Sequence, residues 1–350
     1  MEFLAEYGLF AAKVITLAVV IVLLVGAIVA AVQKEKATHD DDGELQVKRL
    51  NERFQKLKEA MSARMLAPHE RKQWEKERKK KEKEEQKAKK KGTEEPAPKP
   101  RVFVLDFHGD LKAGDTESLR QSVTAVLGVA ESGKDEVVVR LESAGGMVHA
   151  YGLAAAQLDR IKSKGIHLTA CVDKVAASGG YMMACVADRI IASPFAILGS
   201  IGVVAQLPNF HRLLKKNEID FEVLTAGEYK RTLTVFGENT EKGRQKFLAD
   251  LEDIHVLFKD YVQEHRPELD LAQVANGDIW FGRRALEVKL ADELKTSDEY
   301  LLERCDDAEL VHVSFRRKRT VPEKLGLAAA SVAEQIGLKL DSMLRGSRWQ

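Results

Sequence analysis

The chain has 350 residues, and its 55 lysine and arginine residues nearly balance 54 aspartate and glutamate residues, giving a formal net charge of +1. So small a charge provides no broad basic surface for a polyanion, which argues against nucleic acid as a partner. The length and the 45% hydrophobic content suit one domain of about 200 to 250 residues with extensions. The three cysteines, Cys171, Cys185 and Cys305, indicate no disulfide framework, which is compatible with a reducing compartment.

An uncharged apolar run at 14–32 predicts a membrane anchor. Its nineteen residues, VITLAVVIVLLVGAIVAAV, match the roughly twenty needed to cross the hydrocarbon core as a helix. We therefore assign residues 1–36 to an N-terminal anchor in contact with the lipid bilayer. Lysine and arginine are more frequent after this run than before it, so the positive-inside rule favours a cytoplasmic catalytic domain.

Residues 37–100 are predicted to form a charged helical linker. Apolar residues recur at helical spacing over 44–67, residues 71–91 are almost entirely charged, and a proline-rich stretch at 94–100 ends the linker. The basic run could attract anionic lipid or nucleic acid. Its interspersed glutamates favour a solvated spacer instead.

Residues 101–300 have the pattern of an α/β domain, because short β-branched runs alternate with helical periodicity. The predicted strands are 102–107, 137–141, 167–172, 189–192, 202–205 and 221–224, and the predicted helices include 151–162 and 241–265. A second uncharged stretch, 190–207, is interrupted by Ser193-Pro194 and by a glycine turn at 199–202, so we interpret it as two short buried strands. The remaining residues, 301–350, form a C-terminal extension in which 321–349 has amphipathic spacing.

Ser178 lies in the run AASGGY at 176–181, where a predicted strand gives way to the start of a helix. The N–H groups of a first helical turn have no intrahelical partner, so such a junction can supply both a nucleophile and an oxyanion donor, here Gly179. The G-x-S-x-G elbow is not matched because Ala176 occupies its first glycine position. A plain structural turn is the competing interpretation.

Gly145 and Gly146 follow the predicted strand 137–141, and paired glycines let a backbone approach a ligand closely. Either could donate a second N–H to a tetrahedral oxyanion beside Ser178.

Lys230, in GEYKR at 227–231, is the candidate base. An ordinary lysine is almost wholly protonated at neutral pH, so a basic role requires burial of the amine. We expect Tyr229 and Phe236 to provide that burial.

Four motifs in order resemble the signal peptide peptidase A family of serine/lysine peptidases, peptidase family S49. They are RLESAGGMV at 140–148, AASGGY at 176–181, GSIGV at 199–203 and GEYKR at 227–231, and the likeness extends over about 101–294. The resemblance implies Ser178 as nucleophile, Lys230 as general base, and Gly179 with Gly145 or Gly146 as oxyanion donors. Two departures concern turns, since Ala144 stands where proline is usual and Lys289 where glycine is usual.

The resemblance also implies an α/β Clp protease/crotonase-like fold of stacked ββα units behind one transmembrane helix and the charged linker. It implies peptide or protein substrates, membrane-proximal peptides or signal-peptide remnants among them, at a bacterial inner membrane. The implied assembly is a ring-shaped homo-oligomer in which neighbouring subunits can supply Ser178 and Lys230. Acylation of Ser178 followed by water attack on the ester requires neither metal nor cofactor.

Three alternatives stay open at this point. A Ser/His/Asp peptidase of related fold would combine Ser178 with His211 or His149 and Asp188. A crotonase-like acyl-CoA enzyme would use the paired oxyanion donors for an enolate and would need no serine nucleophile. A non-catalytic membrane scaffold would retain only a vestigial pocket.

Overall fold

The computed structural model describes residues 43–67, 69–70, 73–74, 76, 80 and 99–317. The predicted anchor, most of the charged linker and the amphipathic C-terminal stretch lie outside these residues. Within the described part of the chain, none of the helices is both long and apolar enough to cross a membrane.

Ten strands and nine helices are formed by the described residues. The strands are β1 (Gly43–Arg49), β2 (Arg101–Gly109), β3 (Glu136–Ser143), β4 (His167–Val172), β5 (Val175–Ala177), β6 (Arg189–Ala192), β7 (Ile197–Gly199), β8 (Ile279–Phe281), β9 (Glu293–Leu294) and β10 (Glu309–Arg317). The helices are α1 (Leu50–Met65), α2 (Thr116–Leu127), α3 (Val148–Lys162), α4 (Gly179–Ala184), α5 (His211–Lys216), α6 (Glu241–His265), α7 (Leu271–Val274), α8 (Gly282–Glu287) and α9 (Ser297–Arg304).

The strands form one sheet in the order β1-β10-β2-β3-β4-β6-β9, with a branch through β5, β7 and β8. Pairing is parallel from β10 through to β9, whereas β8 runs antiparallel to β7. In the branch, β5 pairs with the end of β3 through Ser143 opposite Ala176. This pairing brings the turn after β3 beside the residue that follows β5. The predicted α/β class is confirmed.

Helices cover both faces of the sheet, as parallel sheets require. Alternate residues of β2, such as Phe103 and Leu105, face α2, α3, α4 and α6 in the larger core. Their neighbours Val102 and Val104 face α1 and α9 in a smaller core. Neither face of these strands is exposed to solvent, which explains why their sequences are continuous apolar runs.

The predicted linker begins differently from expectation. Residues 43–49 form a strand beside β10, and the helix starts at Leu50, which is buried in the smaller core. Asn51 secures this attachment, because its Nδ2 donates to the Ala308 carbonyl at 3.0 Å and its Oδ1 accepts from the Leu310 N–H at 2.7 Å. The apolar periodicity of residues 44–67 correctly predicted a helix. It could not predict the strand, because that strand forms by pairing with β10, more than 250 positions away.

The strands predicted at 202–205 and 221–224 are wrong. Between 202 and 240, all of which the structure describes, the only regular element is α5. The ring centroid of Phe236 lies 6.0 Å from that of Phe210, on which it stacks, and 5.6 Å from that of Phe221. The aromatic residues of this segment therefore pack on one another. The β-branched residues were read as strand formers, but β propensity is expressed only where a neighbouring strand is available.

Candidate active site

Ser178 lies between β5 and α4, as the sequence predicted. Its backbone has φ +53°, a conformation that only a few per cent of residues other than glycine adopt. The Ser178 N–H donates to the Gly199 carbonyl at 2.8 Å, and its own carbonyl accepts from the Met182 N–H at 2.9 Å. Hydrogen bonds on both sides thus hold a partly buried serine in a strained turn, which is the pattern of a functional residue more than of an ordinary loop.

The turn after β3 wraps tightly against this serine. Gly145 has φ +90°, and a β-carbon placed on it would lie 2.7 Å from both the Ser178 Cβ and the Gly179 N. A β-carbon on Gly146 would lie 2.2 Å from the Leu111 carbonyl oxygen. Glycine is therefore required at both positions, and the structure brings Gly145, Ser178 and Gly179 together. Gly179 begins α4, where an N–H group lacks an intrahelical acceptor.

Two buried side chains that the sequence did not single out for function support the turn. The Ser143 Oγ lies 2.5 Å from the Tyr151 hydroxyl and accepts from the Gly145 N–H at 3.1 Å. The Tyr151 hydroxyl donates to the Asp110 carbonyl at 2.7 Å. Burial raises the pKa of Tyr151, which keeps the hydroxyl protonated. Ser143 belongs to the ESAGG motif, whereas Tyr151 carried no signal beyond its place in a predicted helix.

Lys230 and Ser178 make no hydrogen bond to each other within the described part of one chain. The Lys230 side chain is exposed, and among the described residues the Ser178 Oγ has no hydrogen-bond partner. The expectation that Tyr229 and Phe236 bury the amine is wrong for a single copy. The Tyr229 ring lies 5.6 Å from Lys246 Nζ, and Phe236 belongs to the aromatic cluster with Phe210 and Phe221.

The histidine alternative lacks the contact it needs. Asp188 accepts from the Leu168 N–H at 2.9 Å and pairs with Lys162 at 3.3 Å and with His167 at 3.6 Å. Neither His149 nor His211 is among these partners, so in the described part of the chain Asp188 orients neither of the histidines that this alternative requires.

A cysteine nucleophile is also disfavoured close to this serine. Cys185 directly follows α4 and is fully buried, and this burial raises the pKa of its thiol. A thiol kept protonated is a poor nucleophile. Ser178 is therefore the better candidate for attack on a carbonyl.

Two family models together account for nearly all of the chain up to residue 311. Peptidase family S49 N-terminal matches residues 2–158, and Peptidase family S49 matches residues 160–311. The chain belongs to peptidase family S49. This family consists of serine peptidases, so the chain is a hydrolase of peptide bonds, and the resemblance drawn from its motifs is confirmed.

Full-length relatives agree with this assignment. The chain is 49% identical over 340 residues to Probable protease SohB of Haemophilus influenzae, covering 96% of this chain and 95% of that protein. It is 45% identical over 309 residues to Probable protease SohB of Buchnera aphidicola subsp. Schlechtendalia chinensis, covering 87% of this chain and all of that one. A solved structure, a mutant of the 1510-N membrane-bound stomatin-specific protease in complex with a substrate peptide, overlaps with a TM-score of 0.41 at 13% identity, covering 65% of this chain and 96% of that one.

One departure from the family pattern has a visible backbone consequence. Lys289 follows Val288, the C-cap of α8, and has φ +64°, in the region that favours glycine. Its N–H donates to the Leu286 carbonyl at 3.1 Å, and the Leu290 N–H donates to the Ala285 carbonyl at 2.8 Å, which is the Schellman pattern. The strain at this position is in the backbone, because a positive φ crowds the β-carbon of lysine.

Proposed function

We propose that the chain is a membrane-anchored endopeptidase in which Ser178 is the nucleophile and Lys230 the general base. The observation that carries the proposal is the positive-φ backbone of Ser178 directly before α4, packed against Gly145. This arrangement offers a nucleophile and backbone N–H donors at one point, as acyl transfer requires. The fold that accompanies it in the proposal is the Clp protease/crotonase-like arrangement of ββα units.

The proposed reaction has two steps. A neutral Lys230 amine takes the proton from Ser178 Oγ while Oγ attacks the carbonyl carbon of the scissile peptide bond. Gly179 and the glycine turn donate N–H groups to the resulting oxyanion, and the leaving amine departs with the proton that Lys230 carried. Water, deprotonated by the same amine, then attacks the Ser178 ester. The Ser178 Oγ leaves with the proton that Lys230 took from the water, which restores the free enzyme.

A second copy of the chain is the proposed means of burying Lys230. A lysine becomes neutral when burial penalises its charged form, and Lys230 is exposed in one chain. The 202–240 segment that carries it also exposes large apolar side chains, with Val204 81% and Leu224 89% accessible. Exposed apolar surface of this kind is typical of interfaces between subunits. These observations support a homo-oligomer in which one copy supplies Ser178 and its neighbour supplies Lys230.

Apolar peptide segments are the proposed substrates. Leu111, Met147 and Val148 adjoin the glycine turn and are 66%, 40% and 42% exposed. The Met147 N–H donates to the Leu111 carbonyl at 2.9 Å, so this apolar rim is held together beside Gly145 and Gly146. An apolar rim next to the nucleophile suits membrane-proximal peptides and signal-peptide remnants.

The anchor at 14–32 would keep the enzyme at a bacterial inner membrane, with the charge pattern favouring a cytoplasmic catalytic domain. A topology reporter fused after Gln350 tests the orientation. A signal from the cytoplasmic side is expected, and a periplasmic signal would overturn the orientation while leaving the peptidase assignment intact.

Mixed oligomers test the shared dyad. We expect Ser178→Ala and Lys230→Met each to abolish peptide hydrolysis by the full-length protein in detergent, and Lys216→Met, an exposed lysine in the same segment, to retain it. Co-expressing the two inactive variants should restore about a quarter of wild-type turnover, because random assortment recreates intact sites between neighbours. Wild-type turnover in Lys230→Met would exclude the lysine base, and normal turnover in Ser178→Ala would exclude the nucleophile. No restoration on mixing would confine the dyad to one chain.

A further inference from the structure

The buried Tyr151 lies directly beneath the candidate oxyanion site. A β-carbon on Gly179 would be 2.4 Å from the Tyr151 Cγ, so the tyrosine ring forms the floor under the first turn of α4. A β-carbon on Gly180 would likewise be 2.4 Å from the Ser143 carbonyl oxygen. The backbone that follows Ser178 is therefore seated on Tyr151 and Ser143, both of which are buried.

The hydrogen bonds among Gly145, Ser143, Tyr151 and Asp110 have a single possible order of donors and acceptors. A tyrosine hydroxyl has a single proton, and that of Tyr151 is donated to the Asp110 carbonyl at 2.7 Å. The 2.5 Å contact with Ser143 must therefore use the serine proton, with the Tyr151 oxygen as acceptor. The remaining acceptor capacity of Ser143 Oγ receives the Gly145 N–H at 3.1 Å. The chain runs from the Gly145 N–H through Ser143 and Tyr151 to the Asp110 carbonyl, with each hydroxyl accepting once and donating once.

This series of hydrogen bonds uses the N–H of one of the two glycines that could donate to the oxyanion. The Gly145 N–H is committed to Ser143, whereas the Gly146 N–H has no acceptor among the residues that the structure describes. The left-handed φ of +90° at Gly145 sets the direction in which the following peptide unit, and hence the Gly146 N–H, is presented.

We infer that Ser143 and Tyr151 act as one positioning unit that holds Gly145, so that Gly146 and Gly179 are the two oxyanion donors. The inference rests on the proposed serine nucleophile and deepens it, because neither side chain contacts substrate in this scheme. A hydroxyl pair sealed from solvent is suited to this task, since a buried chain with every partner satisfied has one favoured geometry. Displacing an oxyanion donor by a fraction of an ångström is costly to the chemical step and nearly neutral for substrate binding.

The test is a kinetic comparison of full-length variants in detergent. Tyr151→Phe and Ser143→Ala are each expected to lower kcat for peptide hydrolysis by roughly tenfold to a hundredfold while KM changes by less than about twofold. The rate of Ser178 labelling by a fluorophosphonate probe should fall in parallel. Because the two side chains act as a unit, the double variant should be no slower than the slower single variant.

Tyr261→Phe is the matched control. Its hydroxyl donates to Asp159 Oδ2 at 2.8 Å on α3, so it also removes a tyrosine hydrogen bond to the same helix. A merely structural role for Tyr151 would lower thermal stability in both tyrosine variants and leave kcat unchanged in both. Wild-type kcat in folded Tyr151→Phe, or multiplicative losses in the double variant, would overturn the inference. Turnover in Ser178→Ala would instead overturn the proposed function, so the two failures are distinguishable.

Discussion

Gly145 lies directly against Ser178, and the approach leaves no room for a side chain between them. A β-carbon at Gly145 would be 2.7 Å from the Ser178 Cβ, and the residue already has φ +90°. We expect Gly145→Ala to slow fluorophosphonate labelling of Ser178 by at least about a hundredfold, because the turn must move away from the nucleophile. Gly133→Ala is the control, since Gly133 has φ +72° with nothing within 4 Å of its would-be β-carbon. Normal labelling of folded Gly145→Ala would show that the turn takes no part in the reaction.

Replacing the strained lysine at the end of α8 should stabilise the protein. Lys289 has φ +64°, which costs a residue with a β-carbon about 1 kcal/mol relative to glycine. Lys289→Gly should raise the free energy of unfolding in urea by about that amount. Lys289→Ala should give no comparable gain because alanine keeps the β-carbon. Equal stability of the two variants would contradict a backbone origin for the effect.

A buried ion pair joins the end of α6 to the segment before β9. Arg266 is only 3% exposed and contacts both carboxylate oxygens of Asp292, at 2.6 and 2.7 Å. Asp292→Ala should destabilise the protein by about 3–5 kcal/mol, because the buried guanidinium then keeps only the exposed Glu268, 2.9 Å from its Nε, as a counter-charge. Denaturant unfolding measures the loss.

The control for this pair is an ion pair on the surface. Glu228 bonds Lys242 where both side chains are exposed to solvent, so Glu228→Ala should reduce the free energy of unfolding far less than Asp292→Ala does. The double variant Arg266→Met, Asp292→Leu should be more stable than Asp292→Ala, because it removes both charges together. A loss in Asp292→Ala no larger than in Glu228→Ala would contradict the burial argument.

The His265–Asp159 pair should make stability depend on pH. The hydrogen bond to Asp159 raises the pKa of His265, whose second ring nitrogen contacts the Tyr261 carbonyl at 2.9 Å. A raised pKa means that the folded state binds the proton more tightly. The contribution of His265 to the free energy of unfolding is therefore complete below the ordinary histidine pKa, and it disappears as pH rises through the raised pKa.

Asp159 titrates in the opposite sense. Burial raises the pKa of Asp159, but hydrogen bonds from His265 and Tyr261 outweigh burial and lower it overall. The contribution of Asp159 to the free energy of unfolding is present above the ordinary aspartate pKa, and it disappears as pH falls through the lowered pKa. Unfolding measured between about pH 5 and pH 9 should show a loss of stability toward alkaline pH that is absent in His265→Gln. An unchanged slope in that variant would assign the loss to other groups.

Local pattern was sufficient for much of the domain. Residues 189–192 and 241–265 form the predicted strand and helix with the predicted bounds, and Ser178 lies at the predicted junction. These features depend on periodicity and on glycine-rich turns, which neighbouring residues specify. The motifs around Ser178 also identified the peptidase family, which the family models confirm.

Local pattern failed where a distant partner decides the conformation. Residues 43–49 are a strand because β10 is beside them, and residues 202–205 are not a strand although their composition favours one. Strand pairing is a property of two segments, so a single segment cannot report it. The same reason explains why the sequence pointed to Tyr229 and Phe236 as cover for Lys230, whereas their rings pack elsewhere.

The sequence alone therefore determined the peptidase family, the α/β class and the serine at a strand-to-helix turn, because adjacent residues encode them. Only the tertiary structure showed that Gly145 closes on Ser178, that Ser143 and Tyr151 support the turn, and that Lys230 is exposed in one copy. Those relationships depend on which segments meet in space. Periodicity specifies the face that a residue presents, and packing selects the partner that it meets there.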